Sequence, residues 1–151
     1  AAAEYLAKKE GMDVSEMLTY LNKKCGMAGI SGVSSDFRDL TAAAEQGNKR
    51  AQLALDMFSY SCKKYVGAYA AAMNGVDCIV FTAGVGENTE CVRSAICENM
   101  QYLGLEIDAE KNKQKNTGAI RDISGKNSKV KVLIIPTNEE LVIARETVEL
   151  L

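Results

Sequence analysis

The chain has 151 residues, 47% of them apolar and 25% charged, a composition that supplies one folded domain with a core and excludes a disordered segment. A net charge of −2 and a pI near 5.3 provide no basic field for nucleic acid or for an acidic membrane surface. The longest apolar runs, CIVF and VLII, are far too short to span a bilayer, and no basic stretch followed by an apolar one opens the sequence, so a cytoplasmic protein is expected. Five cysteines form an odd set with no CxxC pair, which fits a reducing compartment, and the absence of histidine removes both thiolate–imidazole metal sites and any imidazole base from this chain.

A first helix is expected over residues 2–9 and a second over 13–24, with Val14, Met17, Leu18 and Leu21 on one face. Asp13 and Glu16 have capping-box spacing, and Gly26 suits the stop. MAGISGVSSDF, rich in Gly and Ser, reads as a loop leading into a helix, DFRDLTAAAEQG, closed at Gly47. Asn48 then caps a long helix reaching residue 74, whose apolar positions Leu55, Phe58, Cys62, Tyr65, Tyr69 and Ala72 or Met73 sustain a stripe about 39 Å long. That stripe is longer than so small a sheet covers, and part of it needs another partner.

A strand is expected at 78–82, a helix from 89 to 99, a short strand at 103–107 and a charged helix or turn at 108–115. A polar exposed loop at 118–129 and a buried strand at 130–135 follow. Thr137 and Glu140 have the spacing of a capping box for the last helix. Two strands, each followed by a helix, imply parallel pairing. A parallel sheet covered on both faces normally has more strands, so the chain reads as part of a larger unit whose missing strands lie upstream.

Three clusters carry chemistry. In VFTAGVGEN, residues 80–88, a strand runs into two glycines and then a helix-starting sequence, an arrangement whose exposed backbone N–H groups suit phosphate. Gly86 is followed by Glu87 and Asn88, not Lys-Ser or Lys-Thr, which excludes a P-loop; Thr89 stands where a dinucleotide fingerprint needs its third glycine. In SGVSSDFR, Asp36 and Arg38 flank Phe37; they suit either a nucleoside contact or a helix cap with a surface ion pair. In IPTNEE, Glu139 and Glu140 stand at the C-terminal end of a strand, where a carboxylate either holds magnesium or favours the start of the helix.

Taken together, LNKKCGMAGISGVSSDFRD, RAQLALDMFSYSCKKYVGAYAAAMNGVDCIVFTAGVGENT and VLIIPTNEELVIARETVEL resemble blocks of the acetate kinases, within the acetate and sugar kinase, Hsp70 and actin superfamily. The resemblance covers nearly all of residues 1–151 and implies an α/β fold. That fold is part of an actin-like ATPase (ribonuclease H-like) domain with helices packed on a small, mainly parallel sheet. It implies a magnesium-dependent, reversible phosphorylation of acetate by ATP, giving acetyl phosphate and ADP. Asp36, Phe37 and Arg38 match the family's adenosine-binding segment; Gly84, Val85, Gly86, Glu87 and Asn88 match the segment that wraps the nucleotide; Glu139 matches its magnesium carboxylate. Val92 is expected, from its position, to offer an apolar face to the adenine.

The family's catalytic aspartate, acetate-binding arginine, transition-state arginine and histidine, magnesium asparagine and HLGNG-type loop all belong to the part preceding this sequence. No catalytic residue is therefore expected here, and the isolated chain is expected to be inactive. The implied partners are that amino-terminal part and a second copy in a homodimer. Propionate kinases share nearly the same nucleotide motifs, and a non-catalytic nucleotide-binding or dimerisation fragment is the reading from another class.

Overall fold

A computed structural model describes residues 2–150 and divides into two compact units, Ala1–Phe58 and Ser59–Leu151. The first contains helices α1 (Ala2–Glu10), α2 (Val14–Lys24), α3 (Gly26–Ser31) and α4 (Phe37–Glu45), and the beginning of α5 (Lys49–Ala72). The capping box of α2 is complete: Asp13 Oδ1 accepts from the Glu16 N–H at 2.8 Å, and the Asp13 N–H donates to Glu16 Oε2 at 2.9 Å.

Helix α3 lies where the Gly-rich composition predicts a loop. Gly29 serves packing: a Cβ on it would stand 2.8 Å from the Lys24 carbonyl oxygen, so only glycine permits α3 to approach the end of α2 this closely. Arg50, in the first turn of α5, then satisfies the end of α3 by donating from Nε to the Ile30 carbonyl (2.8 Å) and from Nη2 to the Gly29 carbonyl (3.1 Å). Met17, Leu40, Ala51, Ala54 and Leu55 are buried, and Phe37 meets Phe58 edge-on with ring centroids 4.8 Å apart.

Asn48 caps α5 as expected, accepting from the Arg50 and Ala51 N–H groups at 3.0 and 3.1 Å. The buried side of α5 differs from the expected stripe. Ala51, Ala54, Leu55, Ser59 and Ala70 are buried, whereas Tyr65 and Tyr69 are 66% and 64% exposed and stack on each other. The larger residues repeat nearer 3.5 and drift off the helix's 3.6-residue period, and small side chains fill the buried line.

The second unit continues with β1 (Cys78–Phe81), α6 (Ala83–Asn88), α7 (Glu90–Cys97), a 3₁₀ turn at Gln101–Leu103, α8 (Ala109–Lys113), β2 (Arg121–Asp122), β3 (Lys131–Ile134) and α9 (Glu139–Glu149). The strand order is β1-β3-β2, with β1 parallel to β3 (Phe81 opposite Ile134) and β2 antiparallel to β3 (Arg121 opposite Ile134). The parallel pair is the expected one and the third strand is not. Residues 103–107 contribute a single bridge, Ile107 to Ser124, while β2 arises inside the segment expected to be an exposed loop. β2 is a polar edge strand. Asp122 pairs with Lys131 at 2.8 Å, and only the next residues, Ile123 and Ser124, enter the interior, so the stretch lacks a strand-like apolar run.

Among the described residues β1 pairs with β3 alone, leaving its other edge open, and Val80 in its centre is 47% exposed. Helix α9 has no buried residue, and Leu141, Val142, Ile143 and Val148 are exposed. No helix among the described residues is long and apolar enough to cross a membrane.

Candidate functional site

The strand β1 passes through Thr82, in extended conformation, to Ala83, whose φ of 58° lies in the left-handed region. A non-glycine residue there carries strain, and such residues concentrate at functional turns. The sharp turn thus falls on Ala83. Gly84, Val85, Gly86, Glu87 and Asn88, expected as a glycine turn, form helix α6 instead. The two glycines act differently: a Cβ on Gly86 would stand 3.2 Å from the Phe81 carbonyl carbon, while one on Gly84 would meet nothing within 4 Å. Gly86 therefore lets α6 lie against the end of β1, and Gly84 faces open space. In a first turn, the N–H groups of Gly84 and Val85 have no intrahelical acceptor.

Thr137, just after β3, joins this turn to the other strand end. Its hydroxyl oxygen accepts from the Ala83 N–H at 3.1 Å and lies 3.0 Å from Thr82 Oγ1. Glu87 Oε1 accepts from the Thr137 N–H at 2.9 Å and from its hydroxyl at 3.2 Å, and Oε2 accepts from Asn116 Nδ2 at 3.0 Å. These bonds, led by the Thr137 N–H, hold the Glu87 carboxyl below its ordinary range. Glu87 is thus committed to bracing the loop. Asn88 folds back, donating to the Gly84 carbonyl at 3.0 Å.

With Thr137 so engaged, the predicted Thr137–Glu140 capping box does not form. Asn138 caps α9, its Oδ1 accepting from the Leu141 N–H at 3.0 Å. Glu139 is the first residue of α9, exposed, and among the described residues no hydrogen bond or ion pair engages its carboxylate. No group of three or more Cys, Asp or Glu side chains suited to a metal converges among the described residues. One free, hard carboxylate at the C-terminal end of β3 fits magnesium, which takes one or two protein carboxylates and completes its shell with water and phosphate oxygens.

Val92 is 2% exposed, in the buried side of α7 with Ile96 and Cys97, so its side chain offers no open face to a base. Its neighbour Arg93, also 2% exposed, donates from Nη1 to the Gly86 carbonyl at 2.9 Å, from Nε to Asn112 Oδ1 at 2.6 Å and from Nη2 to the Asn112 carbonyl at 2.8 Å. Asn112 in turn donates to the Glu90 carbonyl and Ser94 Oγ.

In the first unit, Asp36 caps α4 by accepting from the Arg38 N–H at 2.8 Å, and its carboxylate takes a two-pronged ion pair from Arg38 at 2.6 and 3.0 Å. The Arg38 side chain, foremost, lowers the Asp36 carboxyl to about 2. The two groups face each other, which is the cap and ion-pair alternative, yet the Arg38 side chain remains 91% exposed. Phe37 is half-buried against Phe58.

Arg93, Asn112, Asn116 and Thr137 have site-building roles that the spacing of motifs does not announce. The one signal is an arginine on the apolar side of α7 between Val92 and Ile96. A concavity of about 300 Å³ lined by Ser61, Lys64, Tyr65 and Ala68 includes none of the expected site residues.

Residues 1–145 match the acetokinase family. The chain belongs to that family. It is 58% identical over 147 residues to the acetate kinase of Caldicellulosiruptor bescii, covering 97% of this chain and 37% of the relative. It is 54% identical over 151 residues to that of Heliobacterium modesticaldum, covering 100% and 37%. The chain thus spans about 37% of the length of these curated relatives. Among solved structures, Porphyromonas gingivalis acetate kinase superposes with a TM-score of 0.88 at 44% identity, covering 98% of this chain and 37% of that one. A propionate kinase from Francisella tularensis gives 0.81 at 38%, covering 95% and 36%. The acetokinase chain described here has the α/β, actin-like ATPase fold of these neighbours, its local sheet being mixed.

Proposed function

We propose that residues 1–151 are the carboxy-terminal portion of the nucleotide-binding domain of an acetate kinase, a cytoplasmic enzyme that phosphorylates acetate reversibly with magnesium and ATP. The observation that carries this reading is the Thr137 bridge, which ties the α6 turn after β1 to the segment leading from β3 into Glu139. Open α/β sheets collect ligands at the carboxyl ends of their strands. In this reading the Gly84 and Val85 N–H groups face phosphate, with Gly86, Glu87 and Asn88 shaping the turn. Glu139 holds magnesium, which when bound neutralises phosphate charge. Asp36, Phe37 and Arg38 serve the adenosine end, Arg38 through its exposed guanidinium and Asp36 by orienting it. Val92 supports the turn from the core. Five free cysteines favour a reducing compartment.

No residue of this chain is assigned to phosphoryl transfer itself, so the isolated 151-residue chain is inactive in this reading. The rest of a longer enzyme covers the open edge of β1 and the apolar side of α9, and exposed Tyr65, Tyr69 and Met73 on α5 contribute to a homodimer. A hydroxamate assay tests the proposal: acyl phosphate forms with the full-length polypeptide and not with the purified chain. Activity in the chain alone overturns the division of labour, and none in the full-length protein overturns the function. The likeness to a propionate kinase supports a second acid as substrate, which the same assay distinguishes by the ratio of kcat/KM for acetate and propionate.

A further inference from the structure

Arg93 is a buried guanidinium whose hydrogen bonds all go to neutral acceptors. Among the described residues no carboxylate forms an ion pair with it; burial and the nearby charge of Arg121 disfavour its charge, and Glu90 offsets this only in part. A buried cation without a directly paired carboxylate is an expensive way to fill space, since an apolar side chain of similar volume packs there without a desolvation cost. What the guanidinium supplies is direction. Its planar fork fixes three acceptors at once, the Gly86 carbonyl from one nitrogen and the Asn112 carbonyl and Oδ1 from the other two.

Gly86 is also the residue at which α6 presses on the backbone of Phe81, with a Cβ excluded at 3.2 Å. Helix α6 is therefore gripped at one residue from both sides, by the end of β1 and by Arg93. Six residues make too short a helix to hold its own orientation, so this grip determines where the first-turn N–H groups of Gly84 and Val85 point. Asn112 anchors the grip by its bonds to Glu90 and Ser94 of α7.

We infer that Arg93 is a positioning residue for nucleotide phosphate, acting through the Gly86 carbonyl to orient the N–H groups of α6. The inference rests on the nucleotide reading of that helix. The experiment compares two variants of the full-length enzyme. Arg93→Met keeps the volume and removes the bond to Gly86. Ile96→Ala empties a buried position on the same helix α7 and leaves every hydrogen bond of Arg93 in place.

Both are expected to lower the melting temperature. Arg93→Met is expected to raise the ATP KM roughly tenfold with little change in the acetate KM, while Ile96→Ala keeps its ATP KM within about twofold of the parent. Equal ATP KM values in the two variants, or equal changes in the KM of both substrates, overturn the positioning role. If Arg93→Met does not accumulate as folded protein, Arg93→Gln provides the reading: its amide ends at the level of Nε and lacks the nitrogen that bonds the Gly86 carbonyl, and an ATP KM unchanged from the parent overturns the inference. An inactive parent enzyme refutes the underlying function instead, so the two failures are distinguishable.

Discussion

Glu87 in α6 and Thr137 beyond β3 are 50 residues apart in sequence and joined through one carboxylate oxygen, which accepts from both the N–H and the hydroxyl of Thr137. That link makes two separate strand ends into one rigid rim. It also explains why neither residue is free for the role its motif suggests, Glu87 as a ligand contact or Thr137 as a helix cap.

Glu87→Gln keeps the size of the side chain and removes its charge. Because the folded-state carboxyl titrates below its ordinary value of 4.5, the ionised form contributes stability that is present above that value and lost as the pH falls through the lower folded value. The variant is expected to be less stable by about 1 kcal/mol at neutral pH, as for a partly solvated charged hydrogen bond. The difference from the parent should shrink as the pH falls below 4.5. Denaturation curves of the full-length protein at several pH values check this, and a gap that widens in acid contradicts it.

The two glycines of α6 are expected to separate stability from binding. Gly86→Ala forces a methyl against the Phe81 backbone and should cost about 1–3 kcal/mol. Gly84→Ala places its methyl in open space, and in a helix gains up to about 1 kcal/mol relative to glycine. It should leave the melting temperature unchanged or raised while increasing the ATP KM, because under the proposed function the methyl stands where phosphate approaches. Calorimetry with initial-rate kinetics distinguishes the two; a Gly84→Ala enzyme with unaltered ATP KM removes phosphate from this turn.

What the sequence makes legible here follows from where the information is local. The Asp13–Glu16 box, the Asn48 cap and the parallel pairing of β1 with β3 each depend on spacing or on an apolar run, and each stands as expected. β2 is illegible because an edge strand two residues long with a salt-bridged exterior has no alternating pattern to read. Helix α3 is illegible because Gly26 and Gly29 lower local helix propensity, while the close approach to Lys24 and the Arg50 bonds that support the helix lie outside the local window. In the site, the Thr137–Glu140 spacing is a true capping pattern defeated by a stronger competitor 50 residues away, Glu87. Arg93 looks like an interruption of an apolar side until its acceptors on Gly86 and Asn112 are brought together by folding.

Arg38 is expected to act on one substrate. Its guanidinium is exposed apart from the prongs held by Asp36, so Arg38→Ala in the full-length enzyme should raise the nucleotide KM much more than the acetate KM. Asp36→Asn should give a smaller change in the same direction, since the pair fixes the guanidinium. With the Asp36 carboxyl lowered from 3.8 to about 2, its contribution to stability is present above 3.8 and fades as the pH falls toward 2. Equal effects of Arg38→Ala on both substrates would reduce the pair to a helix-capping device.

At the start of α9 three adjacent residues are expected to divide three ways. Asn138 carries the cap, so Asn138→Ala should cost about 1 kcal/mol with modest kinetic effect. Glu140, displaced from the cap by Asn138, should tolerate alanine with little change in either stability or kinetics. Glu139 has its carboxylate free at the end of β3, so Glu139→Ala should leave the melting temperature nearly unchanged, raise the magnesium concentration needed for half-maximal rate and lower turnover. Magnesium titrations of the three full-length variants give the answer directly. A shift in magnesium requirement at Glu140 and none at Glu139 exchanges their roles, and an unaltered requirement in both removes the metal from this end of the sheet.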